Sequence, residues 1–172
     1  ALAALSALGL LREHVRWIAL CLGLHAGLSG DEPDRLAERL MLSAVERADL
    51  RGTARLVAAP PAALLTDARD SELHLALQGT SPTAAAACWT VLQPWARRRL
   101  ERYWRELRGV AADVTGADLI AAGYRPGPGF GPALGAALAA KLDRGADRDR
   151  QLETALAVLS ALAGDCRRPE SS

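Results

Sequence analysis

Residues 95–108, WARRRLERYWRELR, put six arginines and two tryptophans into fourteen positions. On a 3.6-residue wheel Ala96, Leu100, Tyr103, Trp104 and Leu107 gather on one face, which is expected to pack inward. Trp95, Arg98, Arg102 and Arg105 gather on the opposite face. Arg97 and Arg108 flank it, with Glu101 between them. A guanidinium presents a fixed fork of donors that matches phosphate oxygens, and an outward indole can stack on a base or ribose. The stripe is therefore a candidate phosphate-facing surface. The same spacing suits a solvated helix face whose arginines pair with Glu101 and Glu106. The pattern leaves both readings open, and an outward Trp95 favours a partner.

A second candidate is the turn RPGPGFGP, which has three prolines and three glycines between Pro126 and Pro132. Thr115 or Gly116 can start a short helix that runs through Ala121, and Gly123 suits its left-handed end. Pro126 fixes its own φ and pushes Arg125 toward an extended conformation. Gly127 and Gly129 allow positive φ or close approach by another backbone. A following helix is expected to begin near Gly131 and Pro132. Its first N–H groups, uncovered among small residues, would make an anion site to which Arg125 adds charge. The alternative is a compact helical hairpin whose glycines only allow close packing, and the residues themselves do not separate the two. The outline is loosely similar to a helix-hairpin-helix, with a different hydrophobic spacing.

The elements that must position these residues read as helix throughout. Half of the 172 residues are apolar, mostly Ala and Leu, and aromatics are 4%. Little Val, Ile and Thr argues against strands. Expected helices are residues 10–28, a restart capped by Asp31 with Pro33 in its first turn, and a segment with a Ser43–Glu46 capping box that stops at Pro60-Pro61. Further helices run from Ser71 to Gly79, from Ser81-Pro82, and from Pro94 to Gly109, with a last amphipathic helix after residue 147. The expected fold class is all-α: about eight short helices in antiparallel pairs, with the Gly/Pro-rich helix-turn-helix near the C-terminus. Residues 1–109 read as a helical bundle and 110–172 as a C-terminal helical tail.

Net charge is +1, so any nucleic-acid surface must come from segregated arginine. Lys141 is the single lysine; Arg dominance suits phosphate contacts, and a GC-rich genome gives the same bias. Cys21, Cys88 and Cys166 have no metal-ligand spacing. Their odd number, without a signal peptide, leads us to expect a cytoplasmic location. The longest apolar run is too short to span a bilayer, so no membrane partner is expected. His14, His25 and His74 stand alone, and no nucleophile–base set can be built from spacing. Asp147 to Asp149 is formally Asp-x-Asp but lies at a helix start among arginines. Two-metal chemistry needs both carboxylates projecting together from a rigid scaffold.

Residues 115–145, TGADLIAAGYRPGPGFGPALGAALAAKLDRG, resemble the C-terminal region of bacterial tRNA nucleotidyltransferases and poly(A) polymerases. That family carries a G-x-D-L-h-x-x-G-h-x-P-G-P segment and then an amphipathic helix ending in a K/Q-L-D-G-like turn. Gly116, Asp118, Leu119, Gly123, Pro126, Gly127, Pro128, Leu134, Leu138, Lys141, Leu142 and Asp143 are the counterparts here. Upstream, Arg39, Leu40, Leu42, Ser43, Glu46, Arg47 and Leu50 are similar to the family's RL.LS..ER..L segment. The chain begins without Met inside a helical pattern, as expected of a piece of a longer polypeptide. The family's catalytic head, with its Gly-Gly strand and Asp-x-Asp pair, has no counterpart here, so no catalytic residue, metal ligand or cofactor is expected in this chain. The resemblance implies Mg and a nucleoside triphosphate for the head, and tRNA or another structured RNA as the partner. The Arg stripe and the turn then make Arg98, Arg102, Arg105 and Arg125 the expected RNA-binding residues, with Trp95 as a lesser candidate and backbone near Gly127, Gly129 and Gly131 completing the site. The rival expectation is a docking or homodimerisation module without RNA contact; a helix-hairpin-helix-like DNA binder is a third.

Overall fold

The computed structural model describes Trp17 and residues 32–165, and all regular structure among them is helical. The expected helix at 10–28, the Asp31 cap, His14, His25, Cys21 and Cys166 lie outside the described residues. Two compact units are present. The first gathers residues up to Ala68 and Leu73–Arg108, and the second gathers Arg69–Glu72 and residues from Gly109.

In the first unit α1 (Glu32–Arg39) leads to α2 (Ala44–Ala58), α3 (Ala62–Leu65), most of α4 (Asp70–Leu77), α5 (Pro82–Val91) and α6 (Pro94–Arg102). Helix starts follow local chemistry. Ser43 Oγ accepts from the Glu46 N–H at 3.3 Å, and the Glu46 carboxylate accepts from the Ser43 N–H at 2.9 Å, closing the capping box. Ser81 Oγ accepts from the Ala84 N–H at 3.2 Å, with Pro82 in the first turn of α5. Pro94 opens α6 after an extended Gln93. The one-turn α3 directly after Pro61 has no clear sequence signal.

Leu50, Leu64, Leu73, Leu77, Leu100 and the run Ala84 to Cys88 form this unit's buried core. Small residues set the spacing of α2 and α5: a Cβ on Gly52 would lie 3.2 Å from Ala84 Cβ. Polar groups inside are mostly matched. Trp17 Nε1 donates to Asp49 at 3.0 Å, and the Tyr103 hydroxyl donates to the Leu77 carbonyl at 3.0 Å. His74 Nδ1 lies 3.2 Å from the Leu107 carbonyl, which can only accept, so this nitrogen carries the proton.

The second unit is built on α7 (Gly116–Ala121), α8 (Phe130–Arg144) and α9 (Arg148–Asp165). Gly145, left-handed at φ 62°, closes α8 and turns the chain into α9. The two helices run antiparallel: Gly129 at the start of α8 faces Leu159 late in α9, while Ala146 at the corner meets Gln151. Val114, Leu119, Ala133, Ala137, Ala155 and Leu159 form the core between them. Ser71, at the first turn of α4, donates its N–H and its hydroxyl to Asp143, both at 2.8 Å.

Among the described residues no helix is long and apolar enough to cross a membrane, and no group of three or more His, Cys, Asp or Glu could hold a metal ion.

Candidate nucleic-acid interface

Helix α6 does not end as an α-helix. The Arg108 N–H reaches back five residues to the Tyr103 carbonyl at 2.8 Å, and Tyr103–Leu107 form a π-turn. The wider turn lets the consecutive Tyr103 and Trp104, and then Leu107, all bury their side chains with Ala96 and Leu100. This is the inward face expected from the wheel, but the π-turn that completes it is not legible from residue types.

The arginines on this segment divide into two sets. Arg97 stacks 4.4 Å over the Trp89 ring and donates to the Leu92 and Thr90 carbonyls at 2.8 and 3.1 Å. Arg99 donates to the Ala63 and Ala68 carbonyls at 3.1 and 2.6 Å, with Asp67 3.7 Å away. Arg108 lies 4.4 Å over the Trp104 ring. These three hold the fold. The second set, Arg98, Arg102 and Arg105, is exposed together with Trp95. Among the described residues no ion pair or hydrogen bond reaches the Arg98 guanidinium. Arg102 sits at the edge of pairing distance from Glu106, 3.9 Å, with more than half of each side chain in solvent, a contact of small energy. The pairing expected of Glu101 goes elsewhere: its carboxylate accepts from Trp89 Nε1 at 2.6 Å.

The Gly/Pro turn belongs to the second unit. Thr115 starts α7, donating its N–H and hydroxyl to Asp118 at 2.7 and 2.9 Å. These bonds, the backbone N–H foremost, hold the Asp118 carboxyl below its ordinary pKa, and Arg148 pairs with the same carboxylate. Gly123 at φ 94° ends the helix, with the Tyr124 N–H returning to the Leu119 carbonyl at 3.1 Å.

The rest of the turn corrects the expectation. Gly127 and Gly129 do not use positive φ, and α8 begins at Phe130, one residue before Gly131. Gly129 is a packing glycine: a Cβ there would lie 3.0 Å from Leu159 Cδ2 and 3.4 Å from Leu162 Cδ1. Nor is the helix start a row of open N–H donors. The Phe130 N–H bonds to the Gly127 carbonyl at 3.1 Å, Pro132 has none, and the Ala133 N–H bonds to the Gly129 carbonyl at 3.0 Å. Gly127 and Gly131 are exposed; a Cβ on Gly131 would meet open space and one on Gly127 would lie 3.9 Å from the Arg125 carbonyl oxygen, and Arg125 itself is exposed.

Two other residues of the family-like pattern are engaged internally. Lys141 Nζ donates to Asp113 at 2.7 Å and to the Ala111 carbonyl at 2.9 Å, and Asp143 caps the first turn of α4 through Ser71. Much of that pattern is thus architecture. The expected site residues fall into two local groups: Trp95, Arg98, Arg102 and Arg105 on α6 and its π-turn, and Arg125, Gly127, Gly129 and Gly131 at the turn before α8. Comparison of the chain with protein-family models, curated proteins and solved structures finds no match.

Proposed function

We propose that this chain is an RNA-gripping helical portion of a protein like the tRNA nucleotidyltransferases and poly(A) polymerases. It holds the backbone of tRNA or a similarly structured RNA while a separate catalytic head extends the 3′ end. The observation that carries this reading is the division of the arginines on residues 95–108. Arg97, Arg99 and Arg108 are committed to carbonyls and aromatic rings, while Arg98 stands exposed beside Trp95 with no ion pair or hydrogen bond among the described residues; Arg102 and Arg105 are exposed as well but have contacts of their own. Duplex RNA is recognised by shape and phosphate, and such a face offers guanidinium forks at helical spacing without base-reading geometry. Mg and a nucleoside triphosphate belong to the head in this reading, and the protein acts in the cytoplasm.

The test is tRNA affinity across a salt series for the wild type and Arg98→Ala/Arg102→Ala. Binding that weakens with salt, and weakens further in the variant, supports the proposal. No loss of affinity and no salt slope overturns it. Duplex DNA that competes equally with tRNA points to a general nucleic-acid binder.

A docking role is favoured by one observation, the apolar corner where α1 meets α2. Leu40, Met41 and Val45 are 49%, 90% and 73% exposed. A stable dimer in light scattering, lost in Met41→Glu/Val45→Glu with RNA affinity unchanged, would support that reading.

A further inference from the structure

We infer that Arg144 and Arg150 form another phosphate site, a groove at the corner between α8 and α9 that takes a backbone phosphate of RNA; this rests on the RNA-binding reading above. The groove has a volume of about 250 Å³ and is lined by Ala140, Arg144, Ala146, Arg150, Glu153 and Thr154. The two alanines leave it open, and its positive charge comes from the two guanidiniums. Thr154 contributes no donor, because its hydroxyl is given to the Arg150 carbonyl at 2.8 Å. Glu153 is the one carboxylate lining it among the described residues.

The position of Arg150 is what calls for an anion. The first turn of a helix is the positive end of its dipole, where a cation is unfavourable. Arg148 shares that turn but is paired with Asp118. Arg150 is exposed, and among the described residues no ion pair or hydrogen bond reaches its guanidinium. Its own N–H is capped by Asp147 at 3.0 Å, so the backbone there needs nothing further. Arg144, in the last turn of α8, also has no partner among the described residues. The neighbouring opening, lined by Arg69, Asp70, Asp143 and Arg144, carries two charges of each sign, and Arg144 lies on the border between it and the groove. There Arg69 pairs with Glu72 at 2.9 Å and Asp143 is held by Ser71. Two arginines that line one groove, neither with a partner among the described residues, suit the oxygens of a phosphate.

The experiment measures binding of a short RNA hairpin to the full 172-residue chain across a salt series. Wild type, Arg144→Gln/Arg150→Gln, Glu153→Gln and Arg98→Gln are compared. The arginine double variant is expected to bind severalfold more weakly, with a log K against log salt slope shallower by about one per arginine removed. Glu153→Gln is expected to bind more tightly, because it removes a carboxylate that lines the groove; loss of fold cannot mimic that gain. If the double variant binds like wild type while Arg98→Gln weakens, the groove is overturned and the α6 surface stands. If the groove variants respond as expected and Arg98→Gln does not, the groove stands and the α6 surface falls. A wild-type chain that does not bind the hairpin overturns both.

Discussion

Asp113 and Gln151 bind each other twice. The Asp113 N–H donates to Gln151 Oε1 at 2.8 Å, and Gln151 Nε2 donates to the Asp113 carboxylate at 2.8 Å. The same Nε2 also donates to the Ala146 carbonyl at 2.7 Å, and Lys141 clamps the other Asp113 oxygen. One fully buried amide thereby ties the loop before α7, the α8–α9 corner and α9 together. Gln151→Met keeps the volume and removes the three bonds made by the amide. It is expected to cost about 1–3 kcal/mol, read as a lower melting temperature. An unchanged melting temperature would mean that the second unit does not depend on this amide.

Gly123 holds φ at 94°, where an L side chain is strained even though the space around it is open. Gly123→Ala is expected to destabilise by about 1–2 kcal/mol. Gly131→Ala, at an exposed position with ordinary φ, is expected to be neutral or slightly stabilising. Chemical denaturation of the pair tests the claim that α7 ends through Gly123.

Asp113 is held below its ordinary pKa of 3.8 first by the hydrogen bond from Lys141, then by Gln151. Asp118 is lowered too, chiefly by the Thr115 N–H. A carboxyl depressed on folding stabilises the folded state above its unfolded pKa and loses that contribution as pH falls through its folded value. Stability is therefore expected to be level above about pH 5 and to fall in the acid range below 3.8. Lys141→Met should reduce the acid-side fall, with melting temperature against pH as the readout.

Burial pushes the Cys88 thiol up to about 11, and its Sγ lies 3.7 Å from the Leu56 carbonyl. Because the thiolate is the nucleophile, native Cys88 is expected to resist alkylation at about pH 8 and to react on denaturation. Peptide-resolved mass spectrometry reads this position separately from Cys21 and Cys166.

What the residues revealed in advance depended on how local the cause was. The caps at Ser43 and Ser81, the restart at Pro94 and the end at Gly123 follow from side chains within a few positions, so the helices were legible. So was the inward face of α6, because a wheel reports burial directly. The role of Arg99 was not: its acceptors, Ala63 and Ala68, lie 36 and 31 residues back, and no nearby pattern points to them. Gln151 had the same difficulty, with its partner 38 residues away, in a helix where a polar residue reads as solvent-facing. The turn glycines were recognisable as special, but their type does not say which use each serves. Gly123 supplies a left-handed angle and Gly129 makes room for Leu159. The α8–α9 groove has no signature in residue types, because it is made by a corner that brings Arg144 and Arg150 to one opening.

The most direct measurement compares Arg98→Ala with its neighbour Arg99→Ala, recording both RNA affinity and melting temperature. Arg98 is exposed and uncommitted among the described residues, whereas Arg99 is bound to two carbonyls. The proposal predicts that Arg98→Ala weakens salt-dependent tRNA binding at unchanged stability. Arg99→Ala should lower the melting temperature, by about 1–3 kcal/mol of stability, and leave the affinity of the folded protein near wild type. Equal tRNA affinity in wild type and Arg98→Ala, with no dependence on salt, would contradict the claim that the outward arginines of α6 hold RNA.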